Sequence, residues 1–247
     1  MKTLKLLFAA AIILSFVSCT KEISDLPQVS KSDNIFQYGT MQKFLNREFE
    51  GSLTIKDLKS HGDFGLGTYN SVDGEMVVSD GKVYRIKTTG EAQEVNDLEI
   101  SPFTVVKFFK ADTSFVLNES KTFDELKEYI SNLIFDKSKP VAIKITGEYE
   151  NVKTRTVPKQ NKPYPSLEEI VANQIVFDFE NINGSAIGYW FPDYFQPVNF
   201  PAFHFHFLVH SREGGNKEAA GGGHLLDCTT LDVIIELDFT DELVVGF

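Results

Sequence analysis

Much of the chain reads as short runs of apolar, β-forming residues separated by turn signals, and only three short stretches read instead as helices. Between Gly62 and Lys87, glycine and β-formers dominate, and two Asp-Gly pairs, Asp73-Gly74 and Asp80-Gly81, divide the run. Asp-Gly between β-rich segments is a strong hairpin signal, because both residues tolerate positive φ. Strands are therefore predicted at about 66–71, 75–79 and 82–87, followed by Phe103–Lys110, Val141–Tyr149 and Val152–Val157. Later strands are predicted at about 174–180, 186–191, 202–209 and 229–239. Met41–Glu50 reads as a short helix anchored by Phe44 and Phe49. Thr122-Phe-Asp-Glu125 has the form of a capping box, and Phe123, Leu126, Ile130, Leu133 and Ile134 follow at helical spacing, which predicts a helix over 122–136. Ser166-Leu-Glu-Glu169 opens a second capped helix to about 173.

Strands and helices mix without regular βαβ alternation, which predicts an α+β fold with mixed or antiparallel sheets and few helices. Tyr69–Gly74 and Phe179–Gly184 share an aromatic-to-glycine spacing, which suggests two related halves at about 38–165 and 166–247. The beginning of the chain is a different kind of segment. Lys2 and Lys5 precede an apolar run, Leu6–Phe16, that ends in Val17-Ser18-Cys19. The run is shorter than the roughly 20 residues a membrane span needs, so residues 1–18 read as a secretory signal. Cys19 resembles the lipidated first residue of a bacterial lipoprotein, which predicts an exported, membrane-anchored protein. Residues 19–37 then read as a flexible tether ahead of a single body at 38–247.

Composition narrows the function classes. The chain has 247 residues, 24 Lys+Arg and 35 Asp+Glu, for a formal net charge of −11. Without a basic stripe, such a chain does not suit a phosphate backbone, so nucleic acid is excluded as a partner. Of the two cysteines, Cys19 and Cys228, the first is the predicted lipid site, so no intramolecular disulfide is expected. Cys228 borders an apolar run and reads as a small buried hydrophobe. The chain carries 22 Phe, and the aromatic run Phe191–Phe200 is the candidate interface of a homodimer.

Candidate chemistry centres on the histidines. In Phe203-His-Phe-His-Phe207 the pattern alternates strictly, so His204 and His206 share one face of a strand. Any half-buried strand with polar outer positions gives the same pattern. A third imidazole, His224, follows Gly221-Gly-Gly223, a backbone able to turn sharply and bring it in. Three neutral imidazoles with an open fourth position make the ligand set of a catalytic zinc ion. A cupin also uses His-x-His, but the acid expected a few residues later is absent, since His210 and Ser211 stand there. Glu75 sits at the start of a predicted strand, placed to reach a metal or donate a proton; a lone Glu is otherwise a solvated strand end. Arg155 lies on the strand face opposite Thr154 and Thr156, and it suits bidentate capture of a carboxylate or plain exposure.

Several of these segments together resemble one family. His61-Gly-Asp-Phe-Gly-Leu-Gly-Thr-Tyr-Asn70 with Asp73-Gly-Glu75 is similar to the N-terminal signature of the α-acetolactate decarboxylases. Ser101-Pro-Phe103, Lys153–Pro158, Lys162–Pro165, His204-Phe-His206 and Gly222-Gly-His224-Leu-Leu-Asp227 resemble further motifs of that family, in order from about residue 38 to 230. The resemblance implies a Zn2+-dependent lyase that converts 2-acetolactate, a 2-hydroxy-3-keto acid, to acetoin and CO2. It implies His204, His206 and His224 as metal ligands, Glu75 and Arg155 as the charged residues facing substrate, and Thr68 close by. Two departures stand out. The gap between His206 and His224 is longer than in the family, with an insertion around Ser211–Ala220. The family usually continues into a tail bearing a further active-site glutamate; the nearest acid here, Glu242, does not match it. The competing expectation is a catalytically impaired lipoprotein of the same fold that serves as a small-molecule or metal binding module.

Overall fold

The structure, a computed structural model, describes residues 33–210 and 219–247. The signal segment, Cys19, most of the tether and Ser211–Glu218 of the insertion lie outside the described residues. The rest forms a mostly β body with strands β1 (Asn34–Tyr38), β2 (Leu53–Thr54), β3 (Phe64–Thr68), β4 (Glu75–Ser79), β5 (Lys82–Ile86), β6 (Ala92–Glu94), β7 (Ile100–Ser101) and β8 (Phe103–Lys107). It continues with β9 (Thr113–Leu117), β10 (Lys121–Thr122), β11 (Val141–Thr156), β12 (Ile175–Phe191), β13 (Ala202–His210), β14 (Ala219–Phe239) and β15 (Glu242–Gly246). Four short helices complete it: α1 (Met41–Leu45), α2 (Ile55–Leu58), α3 (Phe123–Leu133) and α4 (Leu167–Ala172).

A first sheet runs β15-β1-β8-β3-β4-β5-β6, antiparallel except for the parallel β1–β15 pair. The second runs β10-β14-β11-β12-β13, and β14 also pairs with β13 and β9. The β13–β14 pairing closes β11, β12, β13 and β14 on themselves. The change from one sheet to the other falls near residue 112, and β15 returns to the first sheet. The sheets therefore do not divide at 165. Nor do Tyr69–Gly74 and Phe179–Gly184 share a conformation: the first contains a 3-10 turn at Asn70–Val72, and the second runs unbroken through β12.

Local rules account for much of this. At Asp80-Gly81 both φ values are positive, +52° and +78°, as a tight hairpin between β4 and β5 needs. At Asp73-Gly74 the connection is longer. β3 stops at Thr68, and Ser71 and Val72 take φ of +62° and +52° before β4 begins. Both predicted capping boxes form, at Thr122 with Glu125 and at Ser166 with Glu169. In α3 the apolar face buries Leu126 and Ile130 against the second sheet. The first helix is shorter than the predicted 41–50, because Arg47 at φ +66° ends it.

Several expectations are corrected. Residues 34–37, assigned to the tether, are β1, held between β8 and β15 with Ile35, Phe36 and Gln37 buried. Strands predicted as separate at 141–149 and 152–157 are one strand, β11, with the break absorbed as register shifts against β14 at Gly147–Asn151. Likewise β12 fuses the two strands predicted at 174–180 and 186–191. Most consequential is Gly221-Gly-Gly223, which is no sharp turn but part of β14. A Cβ at Gly222 would stand 2.1 Å from the Phe207 carbonyl oxygen, and one at Gly223 2.5 Å from that of Arg155. The glycines let β14 thread between β11 and β13.

Between the sheets, Phe64, Leu66, Val77 and Val105 of the first pack on Ala142, Ile187, Tyr189 and Leu208 of the second. Fully burying a side chain of this kind stabilises the fold by about 1.5–3 kcal/mol. The fully buried Tyr189 hydroxyl donates to the Phe64 carbonyl at 3.2 Å, so the layer's polar atom is satisfied. Within Phe191–Phe200, Phe191 and Phe195 belong to this core, and Tyr194 and Phe200 are exposed.

Candidate metal centre

Register explains why three distant histidines meet. His204 and His206 lie two apart on β13 and share a face, and His206 stands opposite His224 on β14. On the other side of β14, His224 pairs with Arg155 of β11. Arg155, His224 and His206 thus form a row across three neighbouring strands. Glu75 comes from the first sheet, at the start of β4, where it pairs with Thr68 on β3 and Ile86 on β5.

The ligand atoms of His204, His206 and His224 all lie within 4.8 Å of one another, and His204 Nε2 is 3.3 Å from His224 Nδ1. Ligand nitrogens at about 2.0–2.1 Å from a tetrahedral ion sit roughly 3.3 Å apart, so this pair already has the spacing of two shared ligands. His206 Nδ1 lies 2.7 Å from the Met76 carbonyl oxygen. A carbonyl only accepts, so the proton is on Nδ1 and the Nε2 lone pair faces the centre. Burial holds all three rings neutral: His206 is pushed down to about 3, and His204 and His224 fall well below the usual range, with Arg155 reinforcing each. Neutral rings with ligand nitrogens this close together fit a divalent cation that prefers nitrogen ligands.

Next to them, Arg155 Nη1 donates to Glu75 Oε1 at 2.7 Å, while Glu75 Oε2 lies 3.4 Å from His206 Nε2. Burial raises the Glu75 carboxyl above the usual range against the opposing pull of Arg155. Thr68 is buried, and its hydroxyl donates to the Gly74 carbonyl at 2.7 Å, which ties β3 to the turn ahead of Glu75. All six residues line one cavity of about 380 Å3. Every site residue named from the sequence therefore converges here. Glu242 does not: it lies on β15 opposite Asn34 and is absent from the cavity wall.

Gly67, Phe103, Val157, Phe205 and Leu225 of the wall fall within the family motifs, but the helical part of the wall does not. That part is largely apolar, with Met41 and Phe44 from α1, Phe123 and Lys127 from α3, and Leu167 and Ile170 from α4. Helical spacing exposes these residues as helix faces, but nothing local says which face meets a cavity. The Met76 carbonyl, which fixes the His206 tautomer, is invisible in any side-chain pattern.

Comparison with known proteins points to one family. Residues 35–247 match the family model for alpha-acetolactate decarboxylase. The alpha-acetolactate decarboxylase of Methanosarcina mazei is 38% identical over 204 residues, covering 82% of this chain and 68% of the relative. That of Brevibacillus brevis is 38% identical over 193 residues, covering 78% of this chain and 65% of the relative. The chain thus spans about two thirds of the length of these curated relatives. The crystal structure of the Bacillus subtilis strain 168 enzyme superposes with a TM-score of 0.80 at 30% identity, covering 86% of this chain and 88% of that one. The chain belongs to the α-acetolactate decarboxylase family.

Proposed function

We propose that this protein is a carbon–carbon lyase that decarboxylates 2-acetolactate to acetoin and CO2. The observation that carries the reading is the opening of three neutral imidazoles and the Glu75–Arg155 pair on one cavity. His204, His206 and His224 would hold Zn2+, and the chemistry such an ion supplies is Lewis acidity toward the ketone and hydroxyl oxygens of the substrate.

The chain's own residues do the rest. Arg155 orients the substrate carboxylate with the guanidinium donors not committed to Glu75, so that the bond to the departing CO2 is correctly aligned. Loss of CO2 leaves an electron pair on carbon, and that carbon must take up a proton. Glu75 holds this proton at Oε2, the oxygen not engaged by Arg155. A carboxyl raised by burial is suited to keeping a proton until carbon accepts it. Thr68, anchored to Gly74, forms the wall beside them. The largely apolar wall, with Phe44, Phe103, Phe123 and Phe205, lowers the local polarity and so strengthens these charge interactions.

The same proposal places the body outside the cytoplasmic membrane, lipid-anchored at Cys19, as the basic and apolar start of the chain suggests. The exposed Tyr194 and Phe200 are where a homodimer would form. Residues 20–247 should produce acetoin from racemic acetolactate, lose this activity on chelation and regain it with zinc. Zinc binding without acetoin would overturn the enzyme reading in favour of a binding module.

A further inference from the structure

Three charged side chains line the cavity beside the imidazoles: Glu75, Arg155 and Lys127. Arg155 is bonded to Glu75 at 2.7 Å, so its guanidinium already has a buried partner. Among the charged side chains of the described cavity wall, Lys127 is the one whose ion-pair partner is exposed. Its ion-pair partner, Asp124 at 2.7 Å, is 93% exposed, and a pair of that kind is weak in water.

Lys127 is held where an incoming molecule would pass. Phe123 and Lys127 are four apart on α3, so they share a helix face, and Lys127 Nζ stands 4.4 Å from the Phe123 ring centroid. The Lys127 side chain is 33% exposed, whereas that of Glu75 is 8% exposed, which puts the lysine at the rim and the carboxylate in the interior. The partly exposed wall includes the apolar Phe203, Leu167 and Val171, and Arg155 is less exposed than Lys127, at 15%. A chain with a net charge of −11 repels an anion at long range, so a cation at the rim has a large local effect.

We infer that Lys127 is the capture residue for the carboxylate of the substrate, meeting the anion at the rim before Arg155 receives it inside. The inference rests on the proposed reaction, and its test separates the two. The zinc-loaded protein and its Lys127→Met variant would be titrated calorimetrically with 2-hydroxyisobutyrate and with its uncharged amide, at about 20 mM and about 300 mM salt. In parallel, kcat and KM would be measured on acetolactate.

At low salt the variant should bind the anion about three- to tenfold more weakly and raise KM by a similar factor, with kcat retained. Amide binding should not change, the difference should shrink at high salt, and Lys127→Arg should restore anion binding. Equal loss of anion and amide would mean that the side chain only packs, and would overturn the inference. So would wild-type anion affinity in the variant, a fall in kcat at constant KM, or a wild-type protein that binds neither probe. A wild-type protein that binds the anion through Lys127 yet forms no acetoin would instead overturn the reaction and leave the capture role standing.

Discussion

Lys107–Asp238 and Arg155–Glu75 both run between the two sheets, and both draw a carboxylate out of water. Lys107 is fully buried on β8, where its Nζ meets Oδ1 of both Asp238 and Asp33. The other Asp238 oxygen, Oδ2, accepts the Lys110 backbone N–H at 2.7 Å. Burial raises the Asp238 carboxyl, and the bonds from Lys107 and Lys110 oppose the shift. No cavity of the metal centre reaches this pair. At the other end of the interface, Arg155 satisfies Oε1 of Glu75, and Oε2 faces the cavity beside His206. The difference lies in completeness. A pair with every acceptor filled can only fix how the sheets meet, whereas a pair left half open can exchange a proton and receive a ligand.

The comparison can be broken at either end. The largest effect is expected from Glu75→Gln, which should lower turnover by about 10²–10⁴ while zinc content and the urea midpoint stay close to wild type. Intact turnover with zinc bound would show that Glu75 does not handle the proton. Lys107→Met should do the opposite. Leaving Asp238 buried without its cation should cost about 3–5 kcal/mol in urea unfolding, and the folded fraction should still turn over. Pairing it with Asp238→Leu should recover most of the loss, since an apolar pair needs no desolvation. A cost below about 1 kcal/mol for the single variant would mean that the bridge is not a buried one.

Metal removal sharpens the contrast further. Chelation should abolish acetoin formation before it changes the circular dichroism spectrum, because the core between the sheets does not depend on the ligands. Unfolding together with loss of activity would mark the site as structural. The smallest effect concerns pH. In the metal-free protein His206 is held down to about 3, against about 6.5 in an unfolded chain. Between those values the unfolded state binds the extra proton, so this group makes stability fall as pH is lowered through the window. Replacing His206 with Gln should flatten the stability-versus-pH curve there, and an unchanged slope would show that the ring is not buried neutral.

How much of the molecule is legible in the sequence depends on the distance between interacting residues. The Asp80-Gly81 hairpin and both capping boxes form as predicted, because each is decided within about four residues. His204 and His206 fall on one face as strict alternation requires. The triple glycine stands out in the sequence, but its role is to admit close strands rather than to turn the chain. β1 and β15 are absent from the predicted strands, since five residues carry too little periodicity to mark a strand and each is held by its neighbours.

By itself, then, the chain's order of residues determined local elements, the faces on which side chains fall, and the kinds of chemistry available: imidazoles, one carboxylate and one guanidinium in family motifs. Tertiary structure alone decided that Glu75 would meet Arg155 across 80 residues, that the Met76 carbonyl would set the His206 tautomer across 130, and that Lys127 would stand at the cavity rim. Turns and caps answer to short-range sterics and hydrogen bonds. These meetings answer to sheet register and to the packing of one sheet on another, which no local window contains.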